Sequence, residues 1–133
     1  MYKKNLANAK TIVNAAFQGS VLTHREHLCN AVANGKQSGG AWFDSSIELP
    51  SEIMMYGHIH FGNASDGNTI PNIYTPSKTQ LALFMVCPRF ITDRSHAQWL
   101  RDVVSSASFA FVGDYGHADF YYASASCGVF PVG

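Results

Sequence analysis

The chain has 133 residues, a length that suits a single domain with one sizeable hydrophobic core. Hydrophobic residues make up 47% of the chain and charged residues 14%, which excludes a largely disordered protein. The formal net charge is +0 and basic residues form no stripe, so the composition argues against binding to nucleic acid and against electrostatic adhesion to an anionic membrane.

The sequence carries few signals of cellular compartment. No apolar run approaches the roughly 20 residues that a membrane-spanning helix needs. Residues 1–5 contain two lysines with no apolar stretch behind them, so we expect no signal peptide in this chain. The three cysteines, Cys29, Cys87 and Cys127, are odd in number and widely spaced, which predicts free thiols rather than a disulfide framework or a zinc motif.

The N-terminal part of the chain predicts two helices. The first is indicated by apolar residues at helical spacing and ends at Gly19. These apolar residues are Leu6, Ala9, Val13 and Ala16. A second helix is expected over residues 23–33, because Thr23 and Glu26 have the spacing of a capping box and Asn34 with Gly35 would end the helix. Residues 36–40 then form a short loop.

The middle of the chain predicts a third helix, a short strand and a long loop. The helix covers residues 47–56, with Ser46 as its cap, Pro50 in its first turn and Gly57 as its end. Residues 57–62 alternate in polarity and predict a strand. Residues 63–76 are rich in Asn, Gly, Asp, Thr and Pro, a composition typical of a surface loop.

The last part of the chain predicts a short helix followed by strands. Ser77 and Gln80 form a second capping box ahead of the apolar run 81–86, which predicts a short, mostly buried helix closed by Pro88. Residues 97–101 predict a strand, and the chain from Ser105 onward has the composition of β-hairpins. Because the helices precede the strands, the order favours an α+β fold over a parallel βαβ sheet.

Residues 105–128 have an unusual composition. The segment lacks Lys, Arg, Glu, Gln and Met, and it combines aromatic rings with small residues, two aspartates and one histidine. Antibody-like binding loops use the same residue types, since rigid rings supply contact area while Ser and Gly supply adaptable polar contacts. The alternative is a hairpin that merely packs on the core, and composition alone favours neither interpretation.

The same segment has a coding signature. Every residue type in it can be encoded with a pyrimidine in the third codon position. The types that require a purine there, such as Lys, Glu, Gln and Met, are missing. This pattern would follow if AAC-like codons had been randomised at their adenines.

The residues around this segment resemble a known family. The pattern comprises residues 99–101 (WLR), then Phe109-x-x-Val112-x-x-x-Gly116-x-Ala118, then Ala123-Ser124-x-Ser126-x-Gly128-Val129-x-Pro131. It is similar to the C-terminal part of variable proteins of diversity-generating retroelements, which have a C-type-lectin-like fold of the formylglycine-generating-enzyme type. Residues 21–26, 39–44, 52–57 and 77–84 also resemble a structural protein of prophages in gut Firmicutes.

The resemblance implies a binding site whose residues vary. In this family an error-prone reverse transcriptase alters codons at adenines, and the altered positions lie exposed on the fold. The implied fixed frame is Phe109, Val112, Gly116, Ala118, Ala123, Ser124, Gly128 and Val129. The implied contact positions are Ser108, Phe111, Gly113, Asp114, Tyr115, His117, Asp119, Phe120, Tyr121, Tyr122, Ala125 and Cys127.

Two features depart from the family pattern. Phe130 stands where the family usually has arginine, which puts in doubt any buried ion pair that this arginine would make. The sequence stops at Gly133, where a final strand would normally continue, so we expect a trimmed end or a divergent subgroup.

Trp99, Arg101 and Cys127 have structural interpretations. Trp99 is expected in the core, and Arg101 is expected to pair with a carboxylate, either Asp102 or Asp93, rather than to line a ligand site. Cys127 falls at a variable position without a partner thiol, which argues against the cysteine chemistry of the fold's namesake enzyme.

The histidines do not amount to a metal or catalytic site. His58 and His60 share one face of the predicted strand, and His24 and His27 lie on the predicted second helix, whereas zinc needs three or four ligands. Residues 63–68 lack the spaced bidentate glutamate of a calcium loop. A triad built from such a histidine, an aspartate and a serine has no nucleophile-elbow sequence to support it. We therefore expect no metal, no cofactor and no enzymatic activity.

Together these features predict one α+β domain over residues 1–133. Two or three helices would surround a small twisted antiparallel sheet in a C-type-lectin-like arrangement, with 105–128 as the binding region. Aromatic side chains at Tyr115 and at 120–122 would anchor a ligand, and Asp114, Asp119 and His117 would tune its recognition.

The expected role is recognition of a protein or glycan on a bacterial surface, displayed by a phage particle or by a cell-surface protein. We expect neither nucleic-acid binding nor membrane insertion. The rival hypothesis is a capsid or tail decoration protein whose hairpins contact neighbouring subunits, which would make the domain a homo-oligomer.

Overall fold

The architecture is given by a computed structural model that describes residues 2–28, 31–33, 36–38, 41–62, 79–92 and 96–132. The elements in chain order are α1 (Tyr2–Ala16), β1 (His24–Leu28), β2 (Ala31–Ala33), β3 (Lys36–Ser38), β4 (Ala41–Ser45), α2 (Glu52–Tyr56), α3 (Ala82–Val86), α4 (Arg89–Thr92), β5 (Gln98–Val103), β6 (Ser108–Val112), β7 (Ala118–Tyr122) and β8 (Gly128–Val129). The domain is mixed α+β, as predicted, although four strands precede the short helices and the expected order of helices before strands is wrong.

Helix α1 confirms the first predicted helix. Its chain leaves the helical conformation at Gly19, which adopts a left-handed φ of 76°. The helix lies against β8, and the Asn5 side-chain amide donates to the Cys127 carbonyl at 2.7 Å. Lys10 pairs with Glu48 at 2.7 Å between Nζ and Oε1. These contacts fix α1 on the rest of the domain.

The second predicted helix is wrong. Residues 24–28 form β1, which pairs antiparallel with β4 in a register that places His24 opposite Ser45. A capping box is a local signal worth about 1 kcal/mol, and pairing with a strand more than a dozen residues further along outweighs it. Residues 31–33 and 36–38 also pair as antiparallel strands, so the expected loop at 36–40 is a strand for its first three residues.

The sequence offered a competing signal at this point. Asn34 and Gly35 are the two residues between β2 and β3, and Asn-Gly between two strands is the strongest short-range indication of a β-hairpin. Interpreting the same dipeptide as a helix stop led to the wrong element. Residues 34–35 and 39–40 lie outside the described residues.

The third predicted helix exists but begins later than expected. Helix α2 starts at Glu52, and its cap is Ser51, whose Oγ accepts from the Met54 N–H at 3.1 Å. Pro50 precedes the helix instead of occupying its first turn. Gly57 ends α2 with a left-handed φ of 86°, as predicted.

The segments after α2 depart further from expectation. Residues 57–62 form bends rather than a strand, and residues 63–78, with the predicted loop and the Ser77 cap, lie outside the described residues. Helix α3 is present but not mostly buried, since only its Phe84 is buried while Met85 and Val86 are exposed. No helix in the described part of the chain has the length and apolarity needed to cross a membrane.

The four-stranded sheet holds the core. Its order is β7-β6-β5-β8, and β6 is antiparallel to both of its neighbours. Strands β5 and β8 are parallel, so the expected antiparallel sheet is wrong at this edge. One face packs on the short helices through a cluster of fully or nearly buried side chains. The members are Met55, Phe84, Ile91, Leu100, Ala110 and Val112. An irregularity in β5 between Trp99 and Val103 lets the Arg101 N–H donate to the Pro50 carbonyl, which docks the start of α2 on the sheet.

Candidate ligand-binding surface

Strands β6 and β7 form the predicted C-terminal hairpin, and β7 is the outer strand of the sheet. Along β6 the side chains of Ser108, Ala110 and Val112 are buried, while Phe109 and Phe111 are half-buried on the opposite face. This alternation anchors β6 from both sides. Because β7 has a partner on one side only, its side chains gain less cover, and all three of residues 120–122 are exposed.

The turn between the two strands is clamped to the helices beneath it. The Gly113 N–H donates to the His117 carbonyl at 2.8 Å, and the Gly116 N–H donates to the Gly113 carbonyl at 2.9 Å. Gly116 has a φ of 82°, and a Cβ placed there would lie 2.8 Å from the Ile91 carbonyl oxygen. The Tyr56 hydroxyl donates to the Gly116 carbonyl at 3.0 Å. The turn therefore has little freedom of its own, and it projects Tyr115 into solvent.

The predicted contact positions divide into three groups by exposure. The exposed ones are Asp114, Tyr115, His117, Phe120, Tyr121 and Tyr122, with exposed fractions of 82% for Tyr115, 43% for Phe120, 56% for Tyr121 and 62% for Tyr122. Half-buried ones are Phe111, Asp119, Ala125 and Cys127. Ser108 and Gly113 are buried. The rings that were expected to face water do face water.

Ser108 and Gly113 correct the predicted set, because neither presents a side chain to solvent. Ser108 points inward on β6, where it is 6% exposed. At Gly113 the space that a side chain would need is filled by the His117 ring. A larger residue at 113 would therefore have to displace the His117 ring, which is the end of an exposed side chain.

The implied fixed frame agrees in part with the packing. Val112 is fully buried, and Gly116 occupies a backbone conformation and a space that only glycine fits. Most other frame residues are half-buried, namely Phe109, Ala118, Ala123, Gly128 and Val129. Ser124 is exposed, so packing gives no reason why this position should be fixed.

A second group of rings lies beside the hairpin. The Phe61 and Phe120 ring centroids are 5.2 Å apart, and the ring chain continues from Phe61 to His60 at 6.5 Å. His60 in turn lies 4.2 Å from His58 and 5.1 Å from Tyr56. The alternating polarity of residues 57–62 predicted a strand, and its histidines were weighed only as metal ligands, so the position of these rings next to Phe120 was not predicted. The available signal was the run of three rings, His58, His60 and Phe61, within a short segment bounded by glycines.

A buried carboxylate lies beneath these rings. Glu52 is fully buried, and its side chain accepts from the backbone N–H groups of His60, Phe61 and Gly62, with the shortest contact 2.7 Å from Gly62. The Glu52 N–H itself donates to Asp102 Oδ2 at 2.6 Å. Burial, and next the negative charge of Glu52, raise the pKa of Asp102 from 3.8 to about 7.

Trp99 lies in the core, as predicted. It is fully buried and packs edge-on against Phe111, with 6.2 Å between ring centroids. Arg101 is 3% exposed, and its positive charge lowers the pKa of Asp102, whereas its predicted ion pair with that carboxylate stays a prediction. The other predicted partner, Asp93, lies outside the described residues.

The cysteines and histidines were the residues considered for thiol chemistry and metal binding. Cys87 and Cys127 are free and half-buried, and burial raises the pKa of the Cys127 thiol, which disfavours the reactive thiolate. Cys29 lies outside the described residues. Within the described ranges no three His, Cys, Asp or Glu side chains come together as a metal site.

The arrangement as a whole is a row of exposed rings on a braced hairpin, with two aspartates among them. Such a surface can bind a partner by apolar, cation–π and hydrogen-bond contacts. Compared with known proteins, the chain matches no protein-family model, no curated protein and no solved structure.

Proposed function

We propose that this domain is a ligand-binding module and that β7 with the preceding turn is its binding surface. The observation that carries the proposal is the exposure of Tyr115, Phe120, Tyr121 and Tyr122 on a hairpin whose other strand is buried in the core. Exposed clusters of large rings are rare on soluble monomers and mark interaction sites. Aromatic anchors on a rigid base lose little conformational entropy when they bind.

The resemblance to diversity-generating retroelement proteins supports a more specific form of the proposal. In that form the domain has a C-type-lectin-like fold, the exposed positions of 105–128 are diversified, and a phage particle or cell-surface protein displays the domain to a bacterial surface molecule. The exposed side chains of β7 could change without disturbing the core, because β7 pairs with β6 and it is β6 that carries the buried side chains of the hairpin.

The proposal is tested with a fluorescent form of the domain and a panel of intact gut bacteria, read by flow cytometry. We expect the wild type to label at least one strain and the double variant Tyr121→Ala/Tyr122→Ala to bind that strain at least about tenfold more weakly. The melting temperature of the double variant should stay within about 2 °C of the wild type, because both rings lie in solvent.

Phe17→Ala is the matched control, since Phe17 is an equally exposed ring outside the hairpin. It should bind like the wild type. Equal labelling by wild type and double variant, or no labelling of any strain, would contradict the proposed function.

A structural role is the second candidate, and the exposed apolar side chains of α3 and α4 favour it. Leu83, Met85, Val86 and Phe90 are further exposed apolar side chains on the short helices. Apolar side chains exposed beyond one binding surface are typical of subunits in an assembly. In this role the hairpin rings would be buried between copies in a capsid or tail.

A further inference from the structure

Residues 58–62, here called the ring loop, lie beside the hairpin without belonging to the sheet. Phe61 is 38% exposed and its ring contacts Phe120 at 5.2 Å between centroids. That separation is within the range in which aromatic pairs attract each other. His58 and His60 are exposed and continue the row of rings away from β7. The exposed aromatic surface of the hairpin therefore does not stop at Phe120.

The ring loop is held from below by Glu52. A carboxylate that accepts from three successive backbone N–H groups fixes the path of the chain around it, as anion-binding nests do. Hydrogen bonds to an ionised acceptor are about twice as strong as neutral ones. Glu52 is the first residue of α2, and its own N–H is bonded to Asp102 on β5. The ring loop and the hairpin thus share one rigid base, the strand β5.

The charge around the rings indicates what the surface would bind. Neither the ring loop nor residues 105–128 contain a lysine or an arginine, whereas Asp114 and Asp119 stand among the rings of the hairpin. Aromatic faces and carboxylates both attract cationic side chains, the rings through cation–π contacts. Charge complementarity therefore favours a polypeptide segment that carries Lys or Arg.

We propose that the ring loop is the second half of the ligand-binding surface, that Glu52 is its positioning residue, and that the surface takes a basic polypeptide segment. The inference rests on the proposed function of the hairpin. It goes further because it divides the site into two halves. The half built on Phe61 is constant, and the half on β7 can be altered by side-chain changes.

The test uses peptides selected from a random library displayed on phage, with wild-type domain as the target. We expect the selected peptides to be enriched in Lys and Arg. Their Kd should rise at least about tenfold for Tyr121→Ala and for Phe61→Ala, and it should stay unchanged for the Phe17→Ala control. Selected peptides without that enrichment would contradict the proposal that the ligand is basic. Selective binding of the domain to uncharged glycans on a glycan array would contradict it as well.

The positioning role of Glu52 has its own readout. In Glu52→Gln the side-chain amide points a donor at the donors of the loop, so hydrogen exchange of the His60, Phe61 and Gly62 amides should become at least about tenfold faster. Peptide binding should weaken as well. The double variant Glu52→Gln/Phe61→Ala should bind no more weakly than Phe61→Ala alone, because Glu52 acts through Phe61.

The outcomes separate this inference from the proposed function. Peptides that lose affinity for Tyr121→Ala but bind Phe61→Ala like the wild type would overturn the extended surface and leave the hairpin as the site. Peptides indifferent to Tyr121→Ala would overturn the proposed function itself. Should Glu52→Gln fail to fold, Phe61→Ala still tests the extended surface. The wild-type exchange rates then test the role of Glu52, since fast exchange of the three amides in the wild type would overturn it.

Discussion

Asp102 is a buried residue on β5 that binds the start of α2, and its burial disfavours the charged form of its carboxyl group. Its carboxylate caps the N-terminal N–H of α2 while lying fully buried near the negative charge of Glu52. The pKa of about 7 means that the folded protein holds a proton on Asp102 over a range in which the unfolded chain does not. Between about pH 4 and pH 7 this group therefore makes the domain more stable as the pH falls.

Asp102→Asn should remove that pH dependence. The asparagine keeps an oxygen that can accept from the Glu52 N–H but carries no charge at any pH. We expect the free energy of unfolding of the variant, relative to wild type, to fall by roughly 4 kcal/mol between pH 8 and pH 4, with any stabilisation of the variant greatest at pH 8. Urea unfolding at both pH values measures it.

The control for this measurement is Asp114→Asn at an exposed carboxylate. A difference between Asp102→Asn and wild type that stays constant from pH 4 to pH 8 would contradict the linkage between Asp102 and folding.

At the scale of elements, the hairpin is useful as a display surface because its turn is fixed. Gly116 in the hairpin turn and Gly57 at the end of α2 both have a left-handed φ. A Cβ at Gly116 would lie 2.8 Å from the Ile91 carbonyl oxygen, whereas at Gly57 the nearest atom is 3.7 Å away. Both positions have a backbone conformation that strains any residue except glycine, but only Gly116 also lacks room for a Cβ atom.

Gly116→Ala should therefore destabilise the domain more than Gly57→Ala. The left-handed backbone alone costs an alanine about 1 kcal/mol, which is what we expect at Gly57. At Gly116 the turn must also move off α4, and we expect a total loss of at least about 2 kcal/mol in the free energy of unfolding. Urea denaturation of both variants compares them, and equal losses would show that the turn is not held against α4.

At the scale of the whole molecule, the two candidate functions differ in what covers the rings. As a binding module the domain keeps the rings of β7 in water until a ligand arrives. As an assembly subunit it would bury them against other copies, and a stable interface needs about 800 Å² from each partner.

Light scattering after size-exclusion chromatography distinguishes these states. We expect a monomer of about 14.5 kDa at concentrations up to roughly 100 μM. A larger species that reverts to monomer in Tyr121→Ala/Tyr122→Ala would contradict the binding-module proposal and favour the structural role. A larger species unaffected by this change would place the contact elsewhere, for which the apolar side chains of α3 and α4 are available.

Strands β5, β6 and β7 follow from sequence. The residues that form β5, β6 and β7 were assigned to strands and hairpins because their aromatic and β-branched content, broken by Gly, Ala and Ser, is a property of the local chain. The burial of Trp99 and the exposure of the rings at 120–122 were also predicted. Helix α1 follows from apolar spacing over about three turns, the kind of periodic signal that local reasoning detects well.

Elements whose partners lie far along the chain could not be predicted in the same way. Residues 24–28 carry a helix cap but pair with 41–45, and that pairing is decided by the tertiary arrangement. The position of β7 at the edge of the sheet, which is why its rings are exposed, depends on strand order and not on the sequence of the strand.

The sequence by itself determined that this is a small α+β domain with an aromatic hairpin near its end, because residue composition and spacing act locally. Only the tertiary structure decided which side chains reach solvent and which rings meet. Glu52 and Phe61 are nine residues apart with no local motif between them, and they meet because a buried carboxylate needs donors, which the N–H groups of the ring loop supply.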